Sequence, residues 1–154
     1  MSQRAFKGPA GGRYLPVVLF PSQAITADTN VITTGLAWAN EALILFELTN
    51  AATDVGDLLD VYIDVSPDSG VTWINAVHFT QILGNGADAF KEWAFLNPTH
   101  TGTATINVTT DAAAAVVRQI GFTDRIRVRA DVTADGDVTP DQTFTLSVKG
   151  FFKE

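Results

Sequence analysis

Cysteine is absent from the 154 residues. No disulfide framework, thiolate nucleophile or Cys-ligated zinc can be built, and a chain of this length can bury a core without such staples. Charge is sparse as well, at 18% of residues against 46% hydrophobic and 10% aromatic. That balance excludes a disordered chain and is apolar for a monomer of this size, which extra burial in an oligomer would account for. Histidine occurs twice, as His78 and His100. No H-E-x-x-H, P-loop, G-x-G-x-x-G or nucleophile-elbow serine occurs, so the chain reads as a non-enzyme without a cofactor. Long apolar runs are also missing near the start: MSQRAFKGPAGGRYLPVVLF has a polar, glycine-rich opening and then an apolar run too short for a signal h-region or a bilayer span. A soluble protein without membrane association is expected.

What charge there is lies unevenly. The net charge of −7 argues against nucleic acid as a partner of the body. Residues 1–13 hold Arg4, Lys7 and Arg13 and no acid, so this segment carries +3 and the rest of the chain −10. With three glycines and little apolar content, residues 1–13 cannot fold alone and read as a flexible basic arm ahead of a single acidic domain, 14–154.

That domain is patterned with period two. Leu59, Val61, Ile63 and Val65 alternate with Asp60, Tyr62, Asp64 and Ser66, which predicts a strand with one buried and one wet face. Ile126, Val128, Ala130 and Val132 alternate with Arg125, Arg127, Arg129 and Asp131, and Phe144, Leu146 and Val148 with Thr145, Ser147 and Lys149. Further strands are predicted at 14–20, 31–38, 42–49, 71–76, 78–83, 92–95 and 103–109. The links at 84–89, 97–102 and 133–142 are rich in Gly, Pro, Asn and Asp. Only DAAAAVVRQI, 111–120, reads as a possible helix, capped by Thr110 or Asp111, and AVVRQIGF can equally enter a strand. Short strands at this spacing predict an all-β antiparallel sandwich of jelly-roll type.

One stretch carries a motif: SPDSGVTW, Ser66 to Trp73. Asp68 can accept hydrogen bonds from N–H groups exposed in a turn, Gly70 can take a left-handed conformation, and Trp73 can pack back over the joined strands. The spacing S-x-D-x-G-x-T-W resembles the Asp-box of sialidases and related β-proteins, matched here by Ser66, Asp68, Gly70, Thr72 and Trp73. In sialidases the box lies away from the chemistry, so the resemblance implies a structural turn. Asp64, Ser66, Asp68 and Gly70 also invite a calcium reading. Against it, the glycine falls one position late for an EF-hand loop, and Asn75 stands where a bidentate Glu belongs.

Arg125, Arg127 and Arg129 project from one strand face at about 7 Å intervals, and pairing with acids of the body is favoured over a polyanion site. His78, in VHFTQI, reads as a satisfied or partly exposed strand histidine, and His100 lies in a turn, NPTHTG. Trp38, Trp73 and Trp93, with Tyr14 and Tyr62, could build a carbohydrate-stacking platform. The apolar flanks in GLAWAN and KEWAFL point instead to burial of the tryptophans in a core or interface. Asn107-Val108-Thr109 fits a glycosylation acceptor that carries no weight without a signal peptide.

Taken together, LLDVYIDVSPDSGVTWINAVHF, TDRIRVRADVT and TFTLSVKGFF resemble small structural proteins of tailed bacteriophages, over about residues 58–83 and 121–152. With the acidic β-domain and the basic arm, the chain is most similar to capsid decoration (cement) proteins. The resemblance implies a virion protein made in the host cytoplasm, sitting as a trimer on the outer surface of the head and bound to the major capsid protein. The arm would reach a neighbour through Arg4, Lys7 and Arg13, with Phe6 as an anchor. Tail, neck and adaptor proteins share these features, and a carbohydrate-binding β-sandwich module is the alternative outside the virion.

Overall fold

A computed structural model of the chain describes residues 14–85, 89–97, 110–118, 120, 124–136 and 143–154. The expected arm, His100, the glycosylation-type triplet and the strand expected at 103–109 lie outside these residues. The described strands are β1 (Leu15–Ile25), β2 (Thr29–Thr33), β3 (Glu41–Asn50), β4 (Leu58–Ser66), β5 (Ile74–His78), β6 (Ile82–Leu83), β7 (Phe90–Leu96), β8 (Val116–Val117), β9 (Arg125–Thr133) and β10 (Phe144–Lys153).

They form two antiparallel sheets, one of four strands in the order β1-β10-β3-β7 and one of six, β2-β9-β4-β5-β8 with β6 beside β4. The first long strand pairs with the last, β1 with β10; inside that pair β2 joins β9, then β3 joins β7, and innermost β4 joins β5. Four nested antiparallel pairs describe one long hairpin. Rolling it up adds the contacts β10–β3 and β9–β4, and the result is a jelly roll.

Alternation explains why these segments become strands and how they pack. In β3 the buried residues are Ala42, Ile44, Phe46 and Leu48, and in β10 they are Phe144, Leu146, Val148, Gly150 and Phe152. They meet Leu59, Val61, Ile63 and Val65 of β4 and Ile126, Val128 and Ala130 of β9 between the sheets. Phe46 reaches across to Phe79, ring centroids 5.3 Å apart, which ties the layers at mid-core. Gly150 occupies an inward position where a Cβ would lie 2.3 Å from the Phe152 ring, so the glycine is what lets that ring fold flat into the core.

Three expectations are corrected. The segment from Asp111 forms no helix: it turns at residues 114–115, where Ala115 takes φ 61°, and enters the short β8. The pairing that β8 finds on β5 outweighs the helix preference of the alanines that precede it, 112–115. The two strands expected at 71–76 and 78–83 are instead β5, which starts only after the turn and runs through His78, and the two-residue β6. Finally, β4 has no wet face. Tyr62, Asp64 and Ser66 are buried on the side away from the core, because β4 sits inside its sheet and residues 110–118 lie across that side.

Candidate functional site: the two outer faces

Ser66 to Trp73 joins β4 to β5 and is held by its own side chains. The Ser66 hydroxyl accepts from the Gly70 N–H at 2.6 Å and donates to Asp68 Oδ1 at 3.0 Å, while the same Asp68 oxygen accepts from the Thr72 N–H at 2.6 Å. Hydrogen bonds from Thr72 hold the Asp68 carboxyl below its ordinary range. Ser69 and Gly70 both have positive φ, 59° and 95°, so the chain reverses there at little cost only with glycine second. Trp73 then lies beneath Arg127, whose guanidinium carbon stands 4.6 Å from the ring centroid.

From this turn an ionic network runs along the outer face of the six-stranded sheet. The register of β4 against β9 sets Ser66 opposite Arg125, Asp64 opposite Arg127 and Tyr62 opposite Arg129. Asp64, 1% exposed, accepts two hydrogen bonds from Arg127, Nε at 3.0 Å and a terminal nitrogen at 2.7 Å, and one from Arg129 Nε at 3.3 Å. Its other oxygen accepts from Asn75 Nδ2 at 3.0 Å. The oxygens that a calcium ion would need are therefore taken by donors. Among the described residues no group of three or more His, Cys, Asp or Glu is arranged to hold a metal.

Arg129 also donates to Asp131 and Asp111, at 2.8 and 2.7 Å, and lies 4.0 Å above the Tyr62 ring. Burial alone would lower its pKa, but the Asp111 bond and the Asp64 charge outweigh that and raise it, so it stays a cation. Burial, with the charges of Asp60 and Asp111, pushes the Tyr62 hydroxyl up to about 12. Burial likewise raises Asp131, against the pull of Arg129.

A register shift completes the network. Asp64 pairs with Asn75 and Ile63 with Val77, so Ala76 is the extra residue of a bulge, and Asn75 and His78 come to the same outer face. Asn75 donates to Asp64 Oδ1 and to the Val77 carbonyl, 3.0 Å each, and accepts from the Ala112 N–H at 2.8 Å. His78 stacks on Tyr62 at 4.2 Å; its Nδ1 bonds the Ala112 carbonyl at 2.8 Å and its Nε2 bonds Asp60 at 2.7 Å. Both partners offer acceptor oxygens to the ring. Arg118 closes the edge, its backbone N–H donating to Ala76 and its guanidinium to Thr110, at 2.7 and 2.8 Å.

The arginine row is thus paired with acids of the same chain: Arg125 meets Asp124 at 3.4 Å, and Arg127 and Arg129 share Asp64. The roles of Asn75, Asp60, Asp111 and His78 escape a sequence reading because they depend on the bulge and on residues 110–118 crossing the sheet. The tryptophans are not core residues. Trp38 and Trp93 are 40% and 55% exposed. Nor do the five aromatics form one platform: Tyr62 and Trp73 lie under arginines on one face, Trp93 lies on the opposite sheet, and Tyr14 sits beside Lys153.

The outer face of the four-stranded sheet is built differently. Cross-strand register sets Pro16, Phe151, Leu43 and Phe95 in one row and Val18, Lys149, Leu45 and Trp93 in the next. Trp93 leans over β3 to reach Phe151, ring centroids 5.8 Å apart. Polar pairs bound the rows: Lys153–Glu41 at 2.7 Å, with the Tyr14 hydroxyl on Glu41, at one end, and Lys91–Glu47 at 2.8 Å at the other.

No protein-family profile matches this chain, and no curated protein matches it. Among solved structures, it is similar to the infectious bursal disease virus VP2 subviral particle, with 10% identity and a TM-score of 0.47 over 92% of this chain and 33% of that one. PorU from Porphyromonas gingivalis gives 10% identity and 0.48 over 99% and 14%. A carbohydrate-binding module specific for non-crystalline cellulose gives 9% and 0.35 over 96% and 78%. The chain spans about a third of the length of the viral proteins it matches. Likenesses this distant say nothing of function.

Proposed function

We propose that this protein is a virion structural protein of a tailed bacteriophage that decorates the outer surface of the head, binding the major capsid protein as an oligomer, with three copies the number the family resemblance implies. The observation that carries the reading is where the resembling segments fall. The strand leading into the SPDSGVTW turn is β4, the later R-x-R strand is β9, and the two pair along their whole length with Arg127 joining Asp64 to Trp73. The quoted motifs thus form one cross-braced unit. The final Thr/Phe-rich strand, β10, contributes the rows of the opposite face.

On this reading the protein works by mass action, without chemistry. A protein that binds only the assembled shell stabilises it in proportion to occupancy, and many modest contacts over a closed lattice add up. The basic segment 1–13 supplies the reach, since its +3 charge complements an acidic neighbouring body of −10. The test is co-purification with particles. The full chain is expected on heads at a copy number comparable to the shell protein, and a chain lacking residues 1–13 is expected to fold and to lose that binding. A truncated chain that coats heads with unchanged affinity overturns the role of the arm. A full chain found only on tails or necks, or on glycan and not on particles, overturns head decoration.

A further inference from the structure

We infer that the outer face of the four-stranded sheet is where one copy of this chain packs against another. The inference rests on the reading of an assembled structural protein and names a surface for it.

Three observations on the face carry it. The first is the pattern of the strands. An antiparallel sheet with one side in water alternates apolar and polar residues, whereas strands buried on both sides read as continuous apolar runs. The runs Ala42–Phe46 of β3, Trp93–Leu96 of β7 and Gly150–Phe152 of β10 are continuous, yet only alternate members face the core. Leu43, Leu45, Trp93, Phe95 and Phe151 are left facing out, so these strands have the composition of a sheet covered on both sides.

The second is anatomy. The row Pro16, Phe151, Leu43 and Phe95 is apolar across all four strands and the next is broken only by Lys149, and members on the edge strands β1 and β7 are exposed, Val18 by 59%, Trp93 by 55% and Phe95 by 38%. Single exposed apolar residues are ordinary, but a joined patch with an aromatic pair at its centre and charged pairs along its ends has the layout of a protein interface.

The third is charge, and it selects the occupant. The face carries Lys91, Lys149 and Lys153 against Glu41 and Glu47, a balance of +1 on a chain of −7. Copies of an acidic protein repel each other over most of their surface. This face lets two of them approach without that cost, and its Lys–Glu end pairs can exchange partners across the contact. The basic arm, at +3, gains no such complementarity here.

The experiment is sedimentation velocity on the full chain and three variants over a wide concentration range, with far-UV circular dichroism and thermal melting to establish folding. The full chain is expected to associate. Trp93→Glu is expected to weaken association about thirtyfold or more, as for a central aromatic anchor. Phe95→Thr, which keeps a strand-forming residue, is expected to weaken it less and decides the matter if Trp93→Glu does not fold. Val71→Lys, on the turn beyond β4 and 84% exposed, is expected to leave it unchanged. A monomeric full chain, or association that survives both face variants, overturns the inference. A monomer that still coats heads overturns this inference and the oligomer but leaves head decoration standing; an oligomer sensitive to Trp93→Glu that binds no particle overturns head decoration and leaves this inference standing.

Discussion

The two outer faces of this sandwich solve the same problem in opposite ways. Both belong to antiparallel sheets whose inner sides share one core, and both carry aromatic side chains. On the six-stranded side Tyr62 and Trp73 are roofed by Arg129 and Arg127, and every guanidinium of the row is spent on an acid of the same chain. On the four-stranded side Trp93 and Phe151 roof each other, and no described segment crosses them. The lesson is that exposed charge in the sequence marks the closed surface and apolar redundancy marks the open one. A buried ionic network is costly to break and offers a newcomer few free donors, whereas an apolar row gains energy from any surface that displaces its water.

This contrast can be broken most sharply at Asp64. Asp64→Ala removes the acceptor shared by Arg127, Arg129 and Asn75 and leaves two guanidinium groups underpaired, so a loss of about 3–5 kcal/mol is expected in urea unfolding. Next comes the turn that places Trp73 under Arg127. Gly70→Ala imposes a Cβ at φ 95°, 3.2 Å from the Arg125 guanidinium, and is expected to cost about 1–2 kcal/mol by the same measurement. The smallest effect is expected on the open face: Trp93→Thr gives up one ring pair and is expected to lower the stability of the single chain by no more than about 1.5 kcal/mol. A reversal of that order, with Trp93→Thr costing more than Asp64→Ala, would mean that the apolar face and not the ionic one braces the fold.

Much of this architecture is legible in the sequence, for reasons that differ by region. The alternation in Leu59–Val65, Ile126–Val132 and Phe144–Val148 sorts core from non-core positions correctly, because inward burial follows from local period alone. The turn at Ser66–Trp73 is equally readable, since its bonds span at most four residues. What period cannot reveal is a covering from elsewhere. Asp64 and Tyr62 look like solvent positions until Ala112 and Asp111 are laid over the sheet, and Asn75 shares their face only because Ala76 is a bulge. The alanines of 112–115 favour helix in isolation and lose to the hydrogen bonds offered by Asn75, His78 and Ala76. Trp93 is different: its apolar neighbours point to a core or an interface, and the core is ruled out by its exposure, since no described segment covers it.

The outermost pair of the nested hairpin also decides where attachments can be made. Leu15 lies opposite Phe152, and Lys153 sits 5.6 Å from the ring of Tyr14, so the two extremities of the body emerge side by side at one corner. A short peptide joining residue 154 to residue 14 should therefore yield a circularly permuted body with new termini opened in a surface loop.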